Sequence, residues 1–375
     1  MKSHHQTATK ISSDVDRFFR SAFSSITIEG PQLDAQEVQK HPHMVVSTHR
    51  SHIDYFLAGW VLYYRGFKHM RFAAGSNLTG LPYIGPRFRA LGAFTVEREV
   101  SFERNYVKNL CNRVTGMMEN REAVILFPEG GRSYSGAILD IKSGILGAAV
   151  LLQARRMDED VSLIPMAISY EYPPDAPWFG LLLRGKRFRK RTNPFVKRLL
   201  GSVFYFGADL LAFAPFVTAR RTGRTYGAVY VDYGAPEAVR SLVDIPGSRA
   251  AAVKDEFFSH RAAMQRLGVC MRDRFLALYR LLPMHLLAYL IKEQGPATTH
   301  QAAERASAVI ERLAAGGRNT ESLEKGRPAE TMEAGTEQLL RLGAVAVKGG
   351  VLFGRNGLLL DYCAAPLYDS KEPQK

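Results

Sequence analysis

The residue types best suited to chemistry crowd into residues 45–55, V-V-S-T-H-R-S-H-I-D-Y. A general base needs an imidazole held in one tautomer by an acid, with its other nitrogen free for a hydroxyl. His49 and Asp54 supply those two groups. On a regular helix, five steps turn two side chains roughly 140° apart. The pair can therefore meet only if His49 lies in a turn and Asp54 in the first turn of the helix that follows. The plainer alternative is a histidine that caps a helix and an acid that favours its N-terminus. His52 is a rival base, but its spacing from Asp54 points the two apart on helix or strand, which makes it structural. Further along, Glu129-Gly130-Gly131-Arg132-Ser133 joins paired glycines, which let backbone amides approach an anion, to a guanidinium fork suited to phosphate. Arg98 closes another apolar stretch. Surface ion pairing is the alternative for Arg98 and Arg132.

The elements that must carry these residues alternate. An apolar run at 44–46 reads as a buried strand, and 55–64 is apolar at helical spacing. Residues 71–74 form a strand, 75–86 a Gly- and Pro-rich loop, and 88–96 a helix end followed by a short strand. A helix spans 106–118. A-V-I-L-F at 123–127, stopped by Pro128, is a buried strand. Lys142-Ser143-Gly144 leads into a helix over 145–153, and 161–168 is another strand, with Pro165 inside it. Such alternation predicts an α/β sheet with the chemistry in loops at one edge. His49 with Asp54, then Arg98, then Glu129 with Arg132 all follow strand ends and converge on one cleft.

The chain of 375 residues is 46% hydrophobic and 23% charged, the balance of a globular protein. Its net charge of +14 calls for an anionic partner: a membrane surface, phosphorylated small molecules or nucleic acid. Cys111, Cys270 and Cys363 show neither metal spacing nor a disulfide framework, consistent with a reducing cytosol. The polar first ten residues lack the apolar core of a signal peptide. Residues 12–27 place Val15, Phe18, Phe19, Ala22 and Phe23 on one helical face, to be docked on the protein or laid on a membrane.

Taken together, H-x4-D at 49–54, G-A-F-T-V-E-R at 92–98, F-P-E-G-G-R-S at 127–133 and L-I-P at 163–165 resemble the four ordered blocks of the glycerolipid acyltransferase superfamily. The details, H-R-S-x-x-D-Y and E-G-G-R-S, are similar to the glycerol-3-phosphate and dihydroxyacetone-phosphate acyltransferases. The likeness spans about residues 43–172, with a weaker echo at 227–236. It implies a mixed central sheet flanked by helices, with an N-terminal amphipathic helix and a mostly helical C-terminal extension. It implies transfer of a fatty acyl group from acyl-CoA or acyl-carrier protein to the 1-hydroxyl of glycerol 3-phosphate, without a cofactor or metal. His49 would be the base and Asp54 its orienting acid. Arg98 and Arg132 would grip the phosphate, and Glu129, Gly130 and Gly131 would shape the site. Arg50 and Lys142 would add positive charge, and Ser51 belongs to the same block. Glu97 stands where an arginine often precedes the matched Arg98, and Tyr134 replaces a basic residue. These departures keep open dihydroxyacetone phosphate or lysophosphatidate as acceptor; the alternative from another class is a catalytically silent membrane lipid-binding protein.

Residues 173–222 read as an insertion. Six of the eight residues at 184–191 are basic, and an apolar run follows at 199–217, broken by Asp209 and Pro215. A basic cluster beside an apolar run suits contact with an anionic leaflet, or a buried helix under a basic loop. The expected place is the cytoplasmic face of the inner membrane, peripheral or monotopic. Three domains are expected: an N-terminal helix to 35, an acyltransferase domain over 36–247, and a helical domain over 248–375 ending in a hairpin. In that tail, 275–292 and 299–314 read as helices, 318–331 as a loose polar linker, and 336–353 as a helix followed by a Gly-Gly hairpin. A winged-helix reading of the tail is disfavoured because its charges are interspersed, so nucleic acid is not an expected partner.

Overall fold

The computed structural model describes residues 16–80, 84–97, 103–176, 225–245 and 256–369. The basic run at 184–191, the apolar run at 199–217 and Arg98 lie outside these residues. Ten strands are described: β1 Ser25–Glu29, β2 His43–Ser47, β3 Met70–Gly75, β4 Ala93–Val96, β5 Ala123–Leu126, β6 Ser162–Tyr170, β7 Ala228–Tyr233, β8 Glu237–Ala238, β9 Val345–Lys348 and β10 Val351–Gly354. The first eight form one sheet in the order β1-β7-β6-β2-β5-β3-β4, with β8 paired to β6. The five strands from β6 to β4 run parallel, whereas β7 is antiparallel to β6 and carries β1 parallel to itself. The sheet is thus mixed, as expected.

The reason β2 and β5 read as unbroken apolar runs is that both faces of the sheet are covered. Side chains alternate between two cores. Met44 and Val46 of β2, with Val124 and Leu126 of β5, face one core; Val45, Ala123 and Ile125 face the other. The first core is closed by the Arg104–Glu119 and Ser143–Arg155 helices and by the C-terminal helices. The second is closed by the Asp54–Tyr64 helix and the helical residues 16–22. That N-terminal helix is docked: Phe19 and Phe23 are buried, Phe19 against Trp60 and Phe23 against Tyr170.

The C-terminal region is helical but differs from its expected detail. The apolar stretch at 275–292 is two helices, Arg261–Leu278 and Pro283–Gln294, because Pro283 lacks an N–H and starts a new helix at its first turn. Residues 318–331, expected as a loose linker, hold the short Glu321–Glu324 helix and the start of the Pro328–Leu342 helix, with Arg318 buried. β9 and β10 pair antiparallel through Gly349 and Gly350, both at positive φ as a tight hairpin demands. The hairpin does not end the fold; a further helix, Gly357–Tyr368, follows it. Arg280, wholly buried, pairs with Glu29 of β1, Asp232 of β7 and Glu321. Among the described residues no helix is long and apolar enough to cross a membrane.

Candidate active site

Five strands running the same way bring the loops after β2, β4 and β5 to one edge of the sheet. The chain leaves β2 at Ser47, turns, and enters the Asp54–Tyr64 helix at Asp54 itself. The Asp54 carboxylate folds back into that turn. Its Oδ2 accepts the backbone N–H of Arg50 at 2.5 Å and of Ser51 at 2.8 Å, and lies 2.8 Å from His49 Nδ1. Its Oδ1 accepts the Tyr170 hydroxyl at 2.6 Å. With every near neighbour of the carboxylate a donor, Nδ1 carries the proton and Nε2 is left as the acceptor. Burial pushes the His49 pKa below its ordinary value while Asp54 pulls the other way, and the balance is downward. The neutral ring, the form a base requires, is favoured.

Behind the histidine lies Glu129. Its Oε1 accepts the His49 backbone N–H at 2.9 Å and its Oε2 that of Leu139 at 3.1 Å, with Arg50 Nη1 at 3.5 Å. Burial pushes its pKa up, and Arg50 and the two N–H donors oppose that. Arg50 is itself enclosed: it donates to the Ala137 carbonyl at 2.9 Å and stacks over the Tyr279 ring at 5.0 Å. Both residues brace the loops and do not line the cleft. The Ser51 side chain is likewise buried, and its backbone N–H serves Asp54.

The cleft, a cavity of about 170 Å³, is lined by His49, Gly130, Gly131 and Lys142 on its polar side. Its apolar side is formed by Ala73 and Ala74 of β3, Val96 of β4, Val107 and Leu110 of the Arg104–Glu119 helix, and Ile145. Gly130 sits at φ +69°, and a Cβ there would lie 2.6 Å from Lys142 Nζ, so glycine makes room for the lysine. Arg132 Nη1 donates to Asp175 at 3.0 Å, and its guanidinium stacks over Tyr134 at 5.0 Å. The residue that departs from the basic pattern thus carries Arg132 on its ring. Asp175 also accepts the His52 N–H at 3.3 Å, tying that rival base to the Arg132 side.

The structure therefore brings His49, Gly130, Gly131 and Lys142 to the cleft wall with Asp54 bonded to His49, and buries Arg50, Ser51, Glu129 and Arg132 in the surrounding loops. Sequence reasoning missed Tyr170, Asp175 and the helix face carrying Val107. Tyr170 had a signal, since alternation along β6 puts it on the face of Met166 and Ile168. Asp175 had none: it follows two prolines, outside any periodic element.

Residues 26–169 match the family model described as Acyltransferase. A curated glycerol-3-phosphate acyltransferase from Hamiltonella defensa subsp. Acyrthosiphon pisum (strain 5AT) is 30% identical over 246 residues, covering 61% of this chain. The alignment covers 29% of that relative, so the chain spans well under half of its length. Among solved structures, the 1-acyl-sn-glycerophosphate (LPA) acyltransferase from Thermotoga maritima is similar with a TM-score of 0.34 and 15% identity, over 73% of this chain and 82% of that one.

Proposed function

We propose that this chain, whose residues 26–169 match the acyltransferase family model, moves a fatty acyl group from a thioester donor to the 1-hydroxyl of glycerol 3-phosphate. The product would be lysophosphatidate. The observation that carries the proposal is the His49–Asp54 contact of 2.8 Å, with His49 in the wall of a largely apolar cleft. A binding protein has no use for a base paired with an acid.

As the hydroxyl oxygen attacks the thioester carbonyl, His49 Nε2 takes its proton, and Asp54 stabilises the imidazolium that forms. The C–O bond forms, the tetrahedral oxyanion collapses, and the C–S bond breaks. The departing thiolate takes the proton back from His49. Gly130 and Gly131 line the polar wall; the Gly130 N–H donates to the Phe127 carbonyl at 3.2 Å, so the Gly131 amide is the one proposed for the oxyanion or the phosphate. Lys142, exposed at the rim, adds charge for the phosphate. Arg132 is aimed by Asp175, and Arg98 is proposed for the same grip by its place in the motif. The apolar wall suits the acyl chain. No cofactor beyond the acyl-CoA or acyl-carrier-protein co-substrate enters this scheme.

Labelled glycerol 3-phosphate, dihydroxyacetone phosphate and lysophosphatidate, each offered with palmitoyl-CoA and with an acyl-carrier-protein donor, test the acceptor. Lysophosphatidate formed from glycerol 3-phosphate at the highest kcat/KM is the expected result. Turnover of another acceptor alone would keep the chemistry and overturn the substrate. No transfer by folded protein in lipid would overturn the enzyme.

The acyl product is a membrane component, so we further propose that the chain works on the cytoplasmic membrane surface. The +14 charge and the basic and apolar runs at 184–217 support this. Cosedimentation with vesicles containing anionic lipid, weakening steeply with added salt, is expected. Binding unchanged by salt or by vesicle charge would oppose it.

A further inference from the structure

The last helix of the fold reaches the loop that carries the site. A Cβ placed at Gly136 would lie 2.0 Å from the Tyr362 carbonyl oxygen, so the backbone of the Gly357–Tyr368 helix rests directly on residues 136–138. Just past that helix, Asp369 Oδ2 accepts the Ile138 N–H at 2.6 Å. The next amide, Leu139, donates to Glu129 Oε2 at 3.1 Å, and Glu129 Oε1 accepts the His49 N–H at 2.9 Å. Asp369, the adjoining Ile138 and Leu139 amides, and Glu129 thus run in sequence to the His49 backbone, joined by three hydrogen bonds and one peptide unit.

The far end is held firmly. Arg318, buried, donates to the Asp369 carbonyl at 2.8 Å, the Pro366 carbonyl at 2.9 Å and the Leu276 carbonyl at 2.9 Å. Arg272 stands 4.0 Å from Asp369 Oδ1. Tyr279 of the same region supports the Arg50 guanidinium, which faces Glu129. A solvent-facing tail would need none of these buried contacts.

We infer that Asp369 is a positioning residue for His49, acting through the Ile138–Leu139 amides and Glu129, so that the C-terminal helix completes the reaction site. It touches no substrate. It fixes the loop whose Glu129 holds the histidine backbone, and a base displaced by a fraction of an ångström loses rate before it loses binding. This rests on the proposed acyl transfer, in which His49 is the base.

Asp369→Ala and Asp369→Asn are to be compared with Asp361→Ala, which removes an exposed acid of the same helix, paired with Lys292. In Asp369→Ala, kcat is expected to fall about tenfold while KM for both substrates stays within about twofold. Asp369→Asn, which keeps an oxygen for the Ile138 amide, should recover most of the rate, and Asp361→Ala should match the parent. Amide hydrogen exchange of peptides covering 129–142 should rise in Asp369→Ala while β2 and β5 stay protected. Unchanged exchange there overturns the inference, as does a rate loss matched by Asp361→Ala or one carried in KM. If Asp369→Ala does not fold, Asp369→Ser, whose shorter side chain withdraws the acceptor from the Ile138 amide, is read in its place: faster exchange over 129–142 with a lower kcat supports the role, and unchanged exchange or unchanged kcat overturns it. If the parent protein transfers no acyl group, the proposed reaction fails while the exchange comparison still judges the coupling of tail to loop.

Discussion

His49→Ala should lower kcat by roughly 10²–10⁴-fold, the usual contribution of a positioned base, with the far-ultraviolet spectrum and unfolding midpoint close to those of the parent. Thiol release from palmitoyl-CoA, followed with a chromogenic disulfide, measures it. The ring packs 4.7 Å from Phe127 and 5.5 Å from Tyr55, so alanine leaves a small gap and does not undo the sheet. Asp54→Asn should also be severe, because an amide nitrogen can face Nδ1 and turn the ring to the wrong tautomer. The pH profile separates the two roles. Burial lowers the His49 pKa, so the ring loses its proton at a pH below the ordinary histidine value of about 6.5. The acid limb of kcat/KM should therefore lie below that value. Asp54 opposes this shift, so removing its charge moves any residual acid limb further down. A limb centred well above neutrality, or parental rates in His49→Ala, would sink the assignment.

Glu129→Leu should cost about 3–5 kcal/mol of stability, the range seen when one partner of a buried ion pair is removed. The substitution leaves the His49 and Leu139 amides without their acceptor and the enclosed Arg50 without its nearest carboxylate. Glu129→Gln is milder but not neutral. Its amide offers one acceptor oxygen where two N–H groups need separate ones, so one N–H meets a donor. Urea midpoints read the difference: Leu lowest, Gln between, and the parent highest. Because Glu129 holds the backbone of the histidine, activity should fall in both even well below the midpoint. A Gln variant as stable and as active as the parent would show that the carboxylate merely fills space.

The elements were legible wherever periodicity was strong. β2, β5 and β6 are apolar because helices cover both faces, and the His49–Asp54 turn follows from the rotation of a helix. Glu129 was legible as part of the site, but its position behind the histidine was not, since nothing in E-G-G-R-S says which side chain faces inward. Arg50 shows the same limit: an arginine beside a candidate base reads as a substrate grip, yet its guanidinium is stacked on Tyr279, more than two hundred residues on in the sequence. Pro283 and the Gly-Gly turn punctuated the tail, whereas its last helix, Gly357–Tyr368, was not read from the sequence. Long-range partners such as Asp175 and Asp369 leave no local pattern to read.

β1 adds its edge to the sheet only by pairing with β7, Ser25 opposite Ala228 through Glu29 opposite Asp232, and Arg280 then seals both from the C-terminal side. At a synthesis rate of roughly 5–20 residues per second, the first strand waits about 10–40 s on the ribosome before its partner exists. Over that interval β2, β3, β4 and β5 can assemble as a parallel unit with an open flank. Chaperone contact during synthesis should therefore peak between emergence of the first and the seventh strands and fall once β7 has emerged.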